Sequence, residues 1–151
     1  MSTNGNDNHG KLLEIKGVVV DAVFPNQLPE IYSALRIPRP GGGDLIAEVQ
    51  QHLGDDRVRA VAMDATDGIA RGTDVIDTGA PITVPVGDVT LGRVWNVLGQ
   101  PVDEKPDAPS GTERWSIHRD PPPFSDLTPK VEIFETGIKV IDLIAPYVRG
   151  G

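Results

Sequence analysis

The sequence of 151 residues contains no cysteine, which excludes a disulfide framework and thiolate chemistry. It also lacks any apolar run near the ~20 residues that a membrane-spanning helix needs, so we expect no direct membrane span. Basic residues are in the minority: 14 Lys and Arg stand against 22 Asp and Glu, a net charge of −8. Because a negative surface repels phosphate backbones, we expect no nucleic-acid partner.

We expect no targeting signal in the amino-terminal segment. Residues 1–10 have neither the hydrophobic stretch of a signal peptide nor the Arg-rich pattern of a transit peptide. We interpret them as a disordered tail. The remaining sequence combines 17 Gly and 14 Pro with a hydrophobic fraction of 38%. This composition favours many short elements joined by tight turns, and therefore β structure.

Short apolar runs recur along the first half of the chain at a spacing of roughly ten residues, which is typical of a small closed barrel or a sandwich. In the first run Leu13, Ile15 and Val19 share one side, and Gly17 is a predicted bend or bulge. The predicted strands lie within residues 11–23, 31–37, 45–53, 58–62, 75–76 and 82–84, and predicted turns include residues 38–44 and 78–81.

The pattern changes near residues 86–92, where we place a domain boundary. A Pro-rich loop over residues 100–111 precedes a predicted strand at 114–117. Thr136 is the predicted cap of a short helix that ends before Pro146. The second unit, residues 88–151, looks incomplete because this helix is too short to be stable unless it packs on something.

The glycine cluster Gly41-Gly42-Gly43 is the first candidate for phosphate binding. A phosphate loop needs a Lys and a hydroxyl after its glycines, as in GxxxxGK[ST], whereas Asp44 follows here and would repel phosphate. We therefore predict a hairpin turn. The sequence contains no complete phosphate-binding loop.

Other polar residues also give no complete site. The three histidines, His9, His52 and His118, lack metal-ligand spacing and are interpreted as ordinary surface or partly buried residues, with His9 in the tail. The carboxylate pairs Asp55-Asp56 and Asp103-Glu104 lie in turn-like contexts. We assign no catalytic, cofactor-binding or metal-binding residue.

Five stretches carry information in the order in which they occur. They are GKLLEIKGVVVD (10–21), EVQQHLG (48–54), PVG (85–87) with LGRVWNVLGQPVD (91–103), RWSIHR (114–119) and ETGIKVIDL (135–143). Together they resemble the β (catalytic) subunit of F-type ATP synthase. The related α subunit shares some of them; the stretch 114–119 and the segment 143–147 leading into residues 149–151 favour β.

The resemblance implies a mainly β fold, with an N-terminal six-stranded closed β-barrel over residues 11–87 and the start of an α/β nucleotide-binding domain over 88–151. In this family a strand and then the phosphate loop follow the Gly-Gly pair found here at 150–151. No nucleotide-binding residue of the family can therefore be carried onto this sequence, and we expect no cofactor in these residues, whereas the whole subunit binds ATP or ADP with Mg²⁺.

The resemblance also implies a role and a setting. The barrel would serve as an assembly collar, without catalytic activity of its own, in an enzyme that makes ATP from ADP and phosphate at the expense of an ion gradient. Its partners would be the F1 α subunits of an alternating ring and the central stalk γ subunit. The complex would be peripheral, on the cytoplasmic face of a bacterial inner membrane or its organellar equivalent.

Two alternatives to this interpretation remain. One is a stand-alone small β-barrel that binds an oligonucleotide or a sugar, although such surfaces interleave basic and aromatic residues and only 5% of this chain is aromatic. The other is a relative of the β subunit, either the α subunit or a rotary export ATPase.

Overall fold

The computed structural model describes residues 8–126 and 131–149. The chain divides into two compact units, residues 1–119 and residues 120–151. The predicted boundary near residues 86–92 lies inside the first unit, because the segment that follows the barrel returns to pair with residues 83–85.

A closed antiparallel barrel of six strands forms most of the first unit, which confirms the predicted fold class. The strands follow the order β1-β2-β5-β4-β3-β6 around the barrel, and β1 and β6 pair to close it. The strands are β1 (Asn8–Lys16), β2 (Val19–Val23), β3 (Ser33–Pro38), β4 (Asp44–Gly54), β5 (Arg57–Ala62) and β6 (Asp74–Pro81).

The first predicted run is two strands rather than one. β1 and β2 form a hairpin in which Lys16 pairs with Val19, and Gly17 turns the chain with φ of 61°. A positive φ of this size costs glycine little because it has no Cβ. The bend predicted at Gly17 is confirmed, and it is the turn of the hairpin.

The start of β1 corrects two expectations. The strand begins at Asn8, so the last three residues of the predicted tail pair in the barrel, where His9 lies opposite Ile76; residues 1–7 lie outside the described residues. Leu12 is buried in the core, whereas Leu13, which the alternation groups with Ile15, is only partly buried. The pairing register shifts between Leu12 and Glu14. This bulge changes which set of alternate residues, even-numbered or odd-numbered, faces inward.

The barrel core consists of inward-facing side chains from all six strands, together with Phe24 just after β2. The alternation of buried and more exposed side chains holds well in β5, where Val58 and Ala60 are buried and Arg59 is not. It fails at the end of β4, where Leu53 is exposed because the register shifts twice after Val49.

The turn after β3 is as predicted: Gly42 and Gly43 have positive φ, and the amide of Gly42 donates to the carbonyl of Arg39. The turn expected at residues 78–81 is wrong. β6 continues to Pro81, because its irregular pairing with β3 accommodates the positive φ of Gly79 as a bulge.

Beyond the barrel, β7 (Thr83–Pro85) pairs with β8 (Arg114–Ser116), the strand predicted at 114–117. A single 3-10 turn at Asp88–Thr90 and an isolated bridge between Trp95 and Pro101 are the regular features of the loop between them.

In the second unit, a 3-10 turn at Phe124–Asp126 is followed by β9 (Ile133–Phe134), α1 (Lys139–Ile144) and β10 (Tyr147–Val148), with β9 and β10 paired. The helix ends before Pro146 as predicted. Its cap is Ile138 rather than Thr136. The hydroxyl of Thr136 instead donates to Asp142 at 2.7 Å and accepts from the Ile138 amide at 3.1 Å.

Candidate functional site

A cleft of about 370 Å³ opens on the first unit, and we call it the Tyr32 cleft. Its lining comes from the loop before β3, the second half of β6, Ser116 at the end of β8 and His118 just after it. Tyr32 has φ of 69°, a backbone conformation that is uncommon for a bulky side chain. Its amide donates to the carbonyl of Val49 at 2.8 Å, which fixes this loop against β4.

One wall of the Tyr32 cleft is built on a buried carboxylate. Glu48 is only 3% exposed, and its Oε2 lies 2.8 Å from Nε2 of His118. Its Oε1 accepts a hydrogen bond from Gln50. The imidazole of His118 stacks on the ring of Tyr32, with centroids 4.0 Å apart. Since a buried polar group costs free energy unless it is hydrogen-bonded, these contacts attach the segment after β8 to the outside of the barrel.

Asp77 on β6 also lines the Tyr32 cleft. Its Oδ1 accepts hydrogen bonds from the hydroxyl of Ser33 at 2.6 Å and the amide of Gly79 at 3.0 Å. Among the described residues, its Oδ2 has one long contact, 3.4 Å from the side-chain Nδ2 of Asn8. Asp77 is therefore oriented through one oxygen, and the other retains acceptor capacity.

A second charged group lies across β2 and β5. Asp21 is 8% exposed and accepts two hydrogen bonds from Arg59, from Nε and from a terminal nitrogen, each at 2.8 Å. These bonds hold the pKa of the Asp21 carboxyl below its ordinary value, against the opposing effect of burial. Because the two residues are direct cross-strand neighbours, the pair fixes the register of β2 against β5.

Replacing Asp21 with Asn is expected to reduce the free energy of unfolding near neutral pH by roughly 1 kcal/mol, since Arg59 is partly solvent-screened. The folded pKa of Asp21 is depressed, so its contribution is present above the unfolded value of about 3.9 and is lost as pH falls through the folded value. The difference between wild type and Asp21→Asn should therefore shrink below about pH 4. Urea unfolding at several pH values measures it.

The matched control is Asp55→Asn, because Asp55 also pairs with an arginine, Arg57, but its side chain is 87% exposed. We expect a change of no more than a few tenths of a kcal/mol. A wild-type minus Asp21→Asn difference that stays constant from neutral pH to about pH 3 would contradict the assignment.

A third charged group orders the loop between β7 and β8. Arg93 donates to both oxygens of Asp103, at 2.6 and 3.0 Å, and its guanidinium lies 4.8 Å from the centre of the Trp95 ring. The hydrogen bond from Arg93 holds the pKa of the Asp103 carboxyl well below its usual range. Asp103, a member of the carboxylate pair Asp103-Glu104, is thus a structural partner of Arg93.

The other carboxylates and histidines have structural roles. Asp55 and Asp56 form the β4–β5 turn, both with positive φ. His52 contacts the carbonyl of Pro29 at 2.7 Å, and the histidines are not close enough to one another to form a ligand set in the described ranges. Asp142 accepts three hydrogen bonds from the Thr136–Gly137 segment, and that from the Thr136 hydroxyl is the main cause of its lowered pKa.

Over residues 8–126 and 131–149, no three His, Asp or Glu side chains come together in a way that could hold a metal ion. The same residues include no helix that is long and apolar enough to cross a bilayer.

Residues 12–79 match the family model described as the ATP synthase alpha/beta family, beta-barrel domain. The matched segment runs from β1 into β6, which agrees with the closed six-stranded barrel. The comparison confirms the predicted resemblance for the barrel at the level of this family of alpha and beta subunits.

Proposed function

We propose that this chain is the N-terminal part of the β subunit of an F-type ATP synthase, and that its barrel is an assembly collar. The observation that carries the proposal is the closed barrel whose residues 12–79 match the family's β-barrel domain. The preference for β over α rests on the resemblance of residues 114–119 and of the segment 143–147.

A closed barrel suits a collar because every strand is paired on both sides and no free edge can open or add another chain. Register is further fixed by ion pairs on its outer surface, among them Asp21–Arg59, whose carboxylate is largely buried. Such a body can hold neighbouring subunits at constant spacing while other parts of the complex move. Its partners would be α subunits in an alternating ring, with the γ subunit as the central stalk.

Nucleotide binding and ATP synthesis would take place outside these residues. ATP or ADP and Mg²⁺ would be bound by parts of the subunit other than these residues, and ion-driven ATP synthesis would belong to the whole peripheral complex. The Tyr32 cleft does not fit a triphosphate, because Glu30 and Asp77 line it and no Lys or Arg does so in the described part of the chain.

Titration with Mg-ATP tests this division of roles through Trp95 and Trp115, which report on the loop and on β8. We expect tryptophan fluorescence to stay unchanged up to about 1 mM nucleotide. A Trp115→Phe variant isolates the Trp95 signal, and free N-acetyl-tryptophanamide titrated in parallel is the control for inner-filter effects. Saturable quenching at micromolar ATP would contradict the proposal that these residues carry no nucleotide site.

A further inference from the structure

The Tyr32 cleft combines an aromatic ring with carboxylates that have spare acceptor capacity. Tyr32 remains 44% exposed although one face of its ring is covered by His118. Asp77 offers its Oδ2, whose one contact in the described part of the chain is the 3.4 Å contact with Asn8. Within the described residues, the carboxylate of Glu30 has neither an ion-pair nor a hydrogen-bond partner, and no Lys or Arg lines the cleft.

A second site in the same chain shows which group binds where an aromatic ring and a carboxylate lie together. In the loop between β7 and β8, the guanidinium of Arg93 lies over the ring of Trp95 and donates to both oxygens of Asp103. That site therefore uses an aromatic face, a carboxylate and an arginine. The Tyr32 cleft contains the first two components, while the third does not come from the described chain.

We propose that the Tyr32 cleft takes an arginine side chain presented by a partner polypeptide. A guanidinium is planar, donates through a rigid fork to a carboxylate, and stacks on an aromatic ring, so it can use both Tyr32 and the carboxylates of Glu30 and Asp77. A lysine ammonium is more strongly hydrated and cannot donate through a planar fork, so it is the weaker occupant. Charge complementarity favours a basic partner segment over an acidic one.

The identity of the partner, a neighbouring subunit, rests on the proposed function. The chemistry of the cleft does not, because it depends only on the residues that line it. A small arginine probe therefore reports on the cleft whether or not the chain assembles with other subunits.

The experiment is a two-dimensional ¹H–¹⁵N NMR titration of the full chain with N-acetyl-arginine methylamide. We expect saturable shifts in the millimolar range at Tyr32, Gly79 and His118. The citrulline analogue has nearly the same shape without the charge, and we expect it to leave these amides unchanged. The lysine analogue should shift them more weakly than the arginine probe.

Two substitutions test the two components separately. Glu30→Gln should weaken binding roughly threefold, because it removes an exposed ion pair. Tyr32→Leu should also weaken it roughly threefold through loss of the cation–π contact. Asp88→Asn, an exposed carboxylate outside the cleft, is the matched control and should leave the affinity unchanged.

Any of three results would overturn the proposal. They are the absence of shifts at the cleft, equal shifts with the citrulline analogue, and an affinity that Glu30→Gln and Asp88→Asn lower equally. Each can be read independently of assembly, so a failure here leaves the collar role standing, and a failure of assembly leaves the cleft assignment standing.

Discussion

Phe24→Ala is expected to lower the free energy of unfolding by about 3–5 kcal/mol, the largest effect of any single change considered. Phe24 is fully buried at the end of β2 and belongs to the barrel core. Its removal loses the transfer free energy of an aromatic ring and leaves a cavity that a closed barrel cannot easily collapse to fill. Urea unfolding followed by far-UV circular dichroism measures the change.

Phe124→Ala is the matched control for this substitution. The same atoms are removed, but Phe124 is 89% exposed in the described structure. We expect its free energy of unfolding to stay within about 0.5 kcal/mol of the wild-type value. Equal losses for the two variants would mean that Phe24 is not a core residue of the barrel.

Gly10→Ala is the second change with a large expected effect. A Cβ at Gly10 would lie 2.5 Å from the carbonyl oxygen of Val23 and 2.8 Å from ring carbons of Phe24. Both neighbours are held by the barrel, so the added methyl must displace backbone or a buried ring. We expect a loss of about 1–3 kcal/mol in the free energy of unfolding, measured by the same urea titration.

The control for Gly10→Ala is Gly41→Ala, in the β3–β4 turn. No atom lies within 4 Å of a Cβ built at Gly41, and its φ is not in the left-handed region. The change should leave stability unaltered or raise it slightly, since alanine reduces the freedom of the unfolded chain. If Gly41→Ala destabilised the protein as much as Gly10→Ala, the close approach of β1 to Phe24 would be refuted.

Strand positions could be predicted from alternation and turn residues, but the register could not. The β5 segment alternates cleanly and was predicted to within one residue. In β1, by contrast, the bulge at Leu13 exchanges the inward and outward faces of the strand. Counting alternate residues along the sequence therefore places Leu13 in the core, whereas the core residue is Leu12. A bulge depends on cross-strand pairing with residues distant in the sequence, and local alternation carries no record of it.

The polar contacts of the cleft were also beyond sequence analysis. His118 and Glu48 are 70 residues apart, and neither carries a local motif. Asp103 was considered because of its neighbour Glu104, whereas its partner is Arg93, ten residues earlier in the chain. The one signal available was composition. Carboxylates outnumber basic residues, so arginines such as Arg93 and Arg59 have an excess of possible carboxylate partners.

Assembly can be measured directly by sedimentation velocity. The full chain is mixed with the α subunit of the same type of synthase, at concentrations up to about 100 μM, and each component is also run alone. The collar role predicts a faster-sedimenting species that contains both components in equal numbers. Asp88→Asn serves as the variant expected to assemble normally.

The Phe24→Ala variant distinguishes barrel-dependent assembly from incidental contact. At a urea concentration where wild type is folded and Phe24→Ala is unfolded, only wild type should sediment with the α subunit. Independent sedimentation of the wild-type chain and the α subunit across the whole concentration range would contradict the proposal that this barrel is an assembly collar.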